Sequence, residues 1–139
     1  MSNIKTTLTG YASYRGREGH YSFLLHRITG LGVVLFLIIH ILDTATVYFF
    51  PALYQEAINI YRSTLFGFGE IALVFCVFYH GVNGLRVAFF DLIAPKLWNI
   101  PKERFSAKII LLITLVMWVP ATGIMLYNLF RNNFGWFGG

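Results

Sequence analysis

Residues 65–92 read LFGFGEIALVFCVFYHGVNGLRVAFFDL, a continuous apolar run long enough to cross a bilayer, with one histidine, His80, near its middle. An imidazole at membrane depth is costly and marks a functional site by default. At about 100° per residue, Gly69, Leu73, Cys76, His80, Gly84, Val87 and Asp91 fall on one stripe of a helix. Two glycines flank the histidine on that stripe. They predict a flat recess in which a planar ligand can lie against the backbone. Neutral imidazole on such a face is a common axial ligand of haem iron, and a buried histidine satisfied by hydrogen bonds is the competing reading.

Working outward, two further runs meet the length and hydropathy of a membrane span, so the spans are expected at residues 23–48, 65–93 and 109–130. The chain of 139 residues is 57% hydrophobic and only 12% charged, with a mean hydropathy of +0.64. Backbone groups in lipid must bond within their own segment, so the spans are α-helices, and nothing alternates with the period of a barrel strand. Residues 1–20 are polar and lack the apolar core and cleavage site of a signal peptide, which predicts an aqueous arm. Residues 21–131 form the membrane domain and 132–139 a short tail. Of 11 Lys and Arg, only Arg62 and Arg131 lie on the far side of the spans. This asymmetry puts the N-terminus on the cytoplasmic side and the C-terminus outside. Cations placed this way flank spans and do not indicate nucleic-acid binding.

In the first span, Ser22 is a candidate N-cap and His26 and Arg27 sit at the inner interface. Arg27 reads either as an interfacial anchor or as a donor to a carbonyl or propionate oxygen. His40 lies 14 residues beyond His26, about 21 Å along the axis. Asp43 and Thr44 read as interface polarity and helix termination, and Glu70 as reaching the interface. Pro51 breaks the first span, and Tyr54, Ala57, Ile58 and Tyr61 predict a short amphipathic helix on the outer surface. Arg86 is rotated by about 240° from His80 and faces elsewhere. Pro95, Trp98, Pro101 and the basic run from Lys102 to Lys108 are expected to form the inner loop. Pro120 and Gly123 are expected to kink the third span.

Counting residues from the inner helix ends puts His40 and His80 roughly 10 Å apart in depth. They therefore do not share an iron, and each needs a second ligand from another polypeptide. A transport subunit fits poorly, because so few intramembrane charges offer little for an ion path. The lone Cys76 reads as packing. No nucleotide loop, thiol metal cluster or hydrolytic triad is present in the sequence.

Two motifs carry a family resemblance. His26-Arg27-Ile-Thr-Gly30, preceded by Ser22, resembles the signature opening the first helix of the cytochrome b anchor subunit of succinate dehydrogenase (complex II). His80-Gly-Val-Asn-Gly84-Leu-Arg86, with Asp91 further on, resembles that family's second signature. The resemblance covers about residues 20–130. It implies an all-α membrane protein whose three transmembrane helices form half of a heterodimeric anchor bundle. The implied partners are a second membrane-anchor subunit, an iron–sulfur subunit, a flavoprotein subunit and the lipid bilayer, with no nucleic acid. The implied cofactor is haem b, one copy or two, and the implied substrate is a quinone. His80 corresponds to the haem-iron ligand, with His26 and Gly84 beside the haem. Arg27 corresponds to the quinone-site arginine, with Ser22 near it. His40 corresponds to the ligand of a second haem in di-haem members. No residue of this chain is expected to oxidise succinate, which is the work of the other subunits. The chain departs from the pattern at Phe23, where many relatives have a quinone-site serine, and at Val87, where some have a second histidine. A quinol:fumarate reductase anchor and a haem-free scaffold are the alternatives. The implied location is a bacterial or archaeal cytoplasmic membrane, with a mitochondrial inner membrane less favoured.

Overall fold

The structure is a computed structural model and describes residues 9–10, 18–97 and 99–136. Most of the expected N-terminal arm, Trp98 and residues 137–139 lie outside the described residues. Four helices follow in order: α1 (Glu18–Phe49), α2 (Pro51–Tyr61), α3 (Thr64–Ala88) and α4 (Ile100–Phe134). A π-helical turn, Phe89–Ile93, continues α3, and a 3₁₀ turn, Pro95–Leu97, follows it. There is no strand among the described residues. Gly19–Phe49, Thr64–Ile93 and Ile100–Phe134 are each long and apolar enough to cross a membrane.

Helix boundaries differ from expectation in three places. Ser22 lies inside α1, which starts at Glu18, so it is not an N-cap. Asp43 and Thr44 do not end α1. The Thr44 and Thr46 hydroxyls donate back to the carbonyls of His40 and Asp43 at 2.6 Å, and the helix continues to Phe49. The basic run is not a loop but the opening turns of α4. Asn99 caps that helix by accepting from the Lys102 N–H at 2.9 Å, and Pro101 sits in the first turn, where its missing N–H costs nothing. Pro51 plays the same part in α2, the expected amphipathic helix. Helix α4 runs unbroken through Pro120 and ends on Gly135, whose φ of 63° is the left-handed cap glycine favours.

The helices pack antiparallel in sequence. Helix α1 meets α3 through Ser22–Asn83, His26–His80 and Gly32–Cys76. Helix α3 meets α4 through Phe75–Trp118, and the Trp118 indole N–H donates to the Ile71 carbonyl at 2.9 Å. Asn133 closes the other end by donating to Thr64 Oγ1 at 3.0 Å. The buried set is small, and more than half of it is polar: Ser22, Thr29, Asn83 and Thr114 beside Ile71, Tyr79 and Ala107. Large apolar side chains such as Leu31, Leu42, Leu65 and Leu85 point outward. This inside-out distribution is what lipid imposes, because apolar burial between helices gains little and small or polar residues let backbones approach.

Candidate functional site

The α1–α3 seam is built from two copies of one pattern. Each helix carries His-x-x-x-Gly: His26 to Gly30, and His80 to Gly84. Because positions four apart share a face, each imidazole stands one turn from its own glycine and opposite the glycine of the other helix. A Cβ built on Gly30 would lie 2.7 Å from His80 Cε1, and one built on Gly84 would lie 3.7 Å from His26 Cε1. The two rings stack between these notches, parallel to within 1°, with centroids 4.2 Å apart. On the expected stripe, Cys76, His80 and Gly84 face α1 and Gly69 and Leu73 line a cleft against it, whereas Val87 lies in a crevice with Asn99 and Glu103 at the start of α4. The recess beside Gly84 holds the His26 ring.

The tautomer of His80 follows from its partner. Nδ1 lies 3.1 Å from the His26 carbonyl oxygen, which can only accept, so Nδ1 carries the hydrogen. In the neutral ring, Nε2 then keeps its lone pair. The same carbonyl is 3.1 Å from the Thr29 hydroxyl, which also donates to the Leu25 carbonyl at 2.7 Å. Metal-bound histidines are commonly oriented in this way, by a backbone acceptor on the opposite ring nitrogen. His26 Nδ1, in contrast, is buried without a hydrogen-bond partner among the described residues. A buried orphan of this kind calls for a partner outside the chain.

One turn nearer the α1 N-terminus, a polar cluster fixes the register. Ser22 is 5% exposed and donates to Asn83 Oδ1 at 3.2 Å, while the Tyr79 hydroxyl donates to Ser22 Oγ at 3.1 Å. Asn83 and Tyr79 are each 2% exposed. The Ser22 hydroxyl is thus engaged inside the seam. Neither Tyr79 nor Asn83 is assigned a role by the motifs alone. Their spacing of four residues, on the side of α3 next to His80, is the signal that could have found them.

Arg27 turns away from the seam. It is exposed, and its guanidinium carbon lies 5.3 Å above the Phe23 ring. Arg86 is half-buried in a crevice with Val87, Phe90, Asn99 and Glu103, and its Nε and Nη1 have no partner among the described residues.

His40 is far from this group. His80 packs at the level of residues 26–30, so His40 lies 10 to 14 residues further along α1, about 15–21 Å. This exceeds the 10 Å expected from a count at the inner helix ends, because α1 begins at Glu18, before the apolar run on which that count rests. His40 is exposed, stacks on Phe36 at 5.4 Å, and borders a cleft of about 420 Å³ with Asp43, Tyr61 and Glu70. The Tyr61 hydroxyl donates to the Asp43 carboxylate, which ties α2 to α1. That bond, with some burial and the carboxylate's charge, holds the Tyr61 phenol above its ordinary pKa. No group of three or more His, Cys, Asp or Glu able to hold a bare metal ion occurs among the described residues.

Residues 1–121 match the family described as succinate dehydrogenase/fumarate reductase transmembrane subunit. A curated relative, succinate dehydrogenase 2 membrane subunit SdhC of Mycobacterium tuberculosis, is 34% identical over 123 residues, which are 85% of this chain and 87% of that protein. The match takes in both His-x-x-x-Gly segments and all of the seam between them. The chain is a member of the succinate dehydrogenase/fumarate reductase transmembrane subunit family.

Proposed function

We propose that this chain is the haem- and quinone-binding cytochrome b anchor of a succinate:quinone oxidoreductase, with His80 ligating the iron of haem b. The observation that carries this reading is the His80 Nδ1–His26 carbonyl bond, which leaves Nε2 as a fixed lone pair at membrane depth. The residues fit the group in a second respect, since His26 Nδ1 is a buried site in want of a polar partner such as a propionate. When bound, the haem supplies one-electron chemistry. Gly30 and Gly84 keep the imidazoles at their depth, and Ser22, Asn83 and Tyr79 hold the two helices in register beneath them. A second membrane-anchor subunit would supply the further ligand that this chain lacks. The iron–sulfur subunit docks at the N-terminal side, taken as cytoplasmic from the charge asymmetry, and links this chain to the flavoprotein.

Arg27 projects beyond the seam over the Phe23 ring, with its N–H donors exposed. It donates to a quinone carbonyl oxygen and stabilises the negative charge that develops there on reduction. His40 serves a second haem if the partner opposes it, and its distance along α1 means that it never shares the iron of His80. A quinol:fumarate reductase would use the same residues in the opposite direction.

A reduced-minus-oxidised spectrum of the purified complex, with haem counted per flavin, tests the assignment. His80→Ala should abolish or severely shift one b-type band, and an unaltered spectrum would remove His80 from the ligand role. Arg27→Ala should slow quinone reduction by about 10- to 100-fold. Succinate oxidation with an artificial acceptor should survive, and equal loss of both activities would count against a quinone contact.

A further inference from the structure

We propose that Phe23 makes the quinone site selective for a naphthoquinone over a methoxy-substituted benzoquinone, a proposal that rests on Arg27 being the donor to the quinone carbonyl. Phe23 and Arg27 stand one helical turn apart on α1. Phe23 is 55% exposed, and the Arg27 guanidinium carbon lies 5.3 Å from the centroid of its ring. Cation–π attraction holds the guanidinium there while its N–H donors stay exposed. A ligand ring that settles on the open part of Phe23 therefore has a charged donor at its edge. Leu31 and Val34, both exposed, continue that side of α1 toward the membrane centre and suit an apolar tail.

The other polar side chains within a turn of Phe23 are placed elsewhere. Ser22 is rotated by about 100° into the seam, where it donates to Asn83 and accepts from Tyr79. His26 is stacked on His80. His20 stands edge-on to Tyr21 at 6.1 Å, and Tyr21 itself is rotated by about 200° from Phe23. This leaves Arg27 as the donor beside the exposed ring. Position 23 is also where the chain departs from the serine of many relatives, so the departure exchanges a hydroxyl for aromatic surface. A methoxy-substituted benzoquinone carries ring oxygens besides its carbonyls. Against Phe23 those oxygens lose water and meet no donor, which costs free energy. A naphthoquinone has a fused apolar ring at that edge, which needs no donor and gains contact with Phe23. The carbonyls are common to both classes, so Arg27 serves either and Phe23 sets the difference.

The test uses the whole purified complex and two quinones with the same short alkyl tail, a naphthoquinone and a dimethoxybenzoquinone. Equilibrium dialysis, corrected for partition into detergent, gives the Kd of each for the native complex, Phe23→Ser, Phe23→Leu and Phe23→Tyr. Haem per flavin shows that each variant has assembled. The native complex should bind the naphthoquinone about threefold to tenfold more tightly, the range for one aromatic pair. Phe23→Tyr should keep that ratio. Phe23→Ser should bring it close to one, and so should Phe23→Leu, which keeps apolar bulk but loses the ring. A native complex without the preference, or a preference kept in either the serine or the leucine variant, would overturn the proposal. Arg27→Ala separates this outcome from failure of the quinone site itself. If it weakens both quinones alike while the Phe23 variants leave the ratio unchanged, selectivity by Phe23 falls and the Arg27 contact stands. If it weakens neither, the quinone binds elsewhere and the proposal falls with the site.

Discussion

Gly30 and Gly84 support their imidazoles unequally, and the difference can be measured. An added methyl at position 30 would lie 2.7 Å from His80 Cε1, closer than the stacked ring can yield without leaving its bond to the His26 carbonyl. Gly30→Ala should therefore lower haem content per flavin or move the midpoint potential, even though alanine is the better helix former by about 1 kcal/mol. At position 84 the methyl would meet His26 at 3.7 Å, an ordinary contact, so Gly84→Ala should leave the visible spectrum almost unchanged. Equal losses in the two variants would contradict the asymmetry. Asn83→Ala removes the acceptor of the buried Ser22 hydroxyl hydrogen, though Tyr79 still donates to its oxygen, and should destabilise the chain in detergent by about 1 kcal/mol, read as a lower midpoint in thermal or denaturant unfolding. The sequence exposed the two histidines but not what stood opposite them. A glycine one turn from a histidine looks the same whether the space takes a porphyrin or a neighbouring ring.

Among the elements, α2 is tied to α1 by the hydrogen bond from the Tyr61 hydroxyl to the Asp43 carboxylate. The Tyr61 phenol is raised above its ordinary pKa, so the folded state favours its neutral form. Its contribution is complete below the unfolded pKa of about 10 and is lost only as pH climbs through the higher folded value. Hydrogen exchange of α2 should accordingly be flat from pH 6 to 9 once corrected for intrinsic rates, and Tyr61→Phe should raise it at every pH in that range. A marked rise in the native chain near neutrality would mean that another group holds α2. Helix positions were readable where hydropathy and period decide them, as in the α3 stripe. The start of α4 was missed because Pro101 looked like a breaker, although Asn99 two residues earlier supplies the cap that makes proline welcome in a first turn. The π turn at Phe89–Ile93 left no sequence signal, since a change from i→i+4 to i→i+5 bonding is decided by what packs around it.

At the scale of the molecule, three spans enclose a polar seam and turn their bulk outward. Such a unit is stable in lipid, but His80 is only half-buried within it. Produced without other subunits, the chain should insert into membranes yet retain little haem, and co-production with the second anchor should restore the b-type band. Full haem content in the isolated chain would refute a shared site. Span number and membrane class followed from composition. The depth of His40 did not, because helices longer than their apolar runs offset any count made from hydropathy.

The crossed notches also constrain how this family can change. The glycine at position 30 cannot be enlarged alone, because the ring of the opposite helix fills its gap, whereas the looser gap at position 84 admits a methyl group. Loss of the imidazole at position 26 would open a void over position 84 that a larger side chain there can fill, whereas enlargement at position 30 demands a smaller partner at position 80, which would remove the proposed iron ligand. Lineages that abandon the cofactor should therefore show paired substitutions at 30 and 80, and those that keep it should vary at 26 and 84 together.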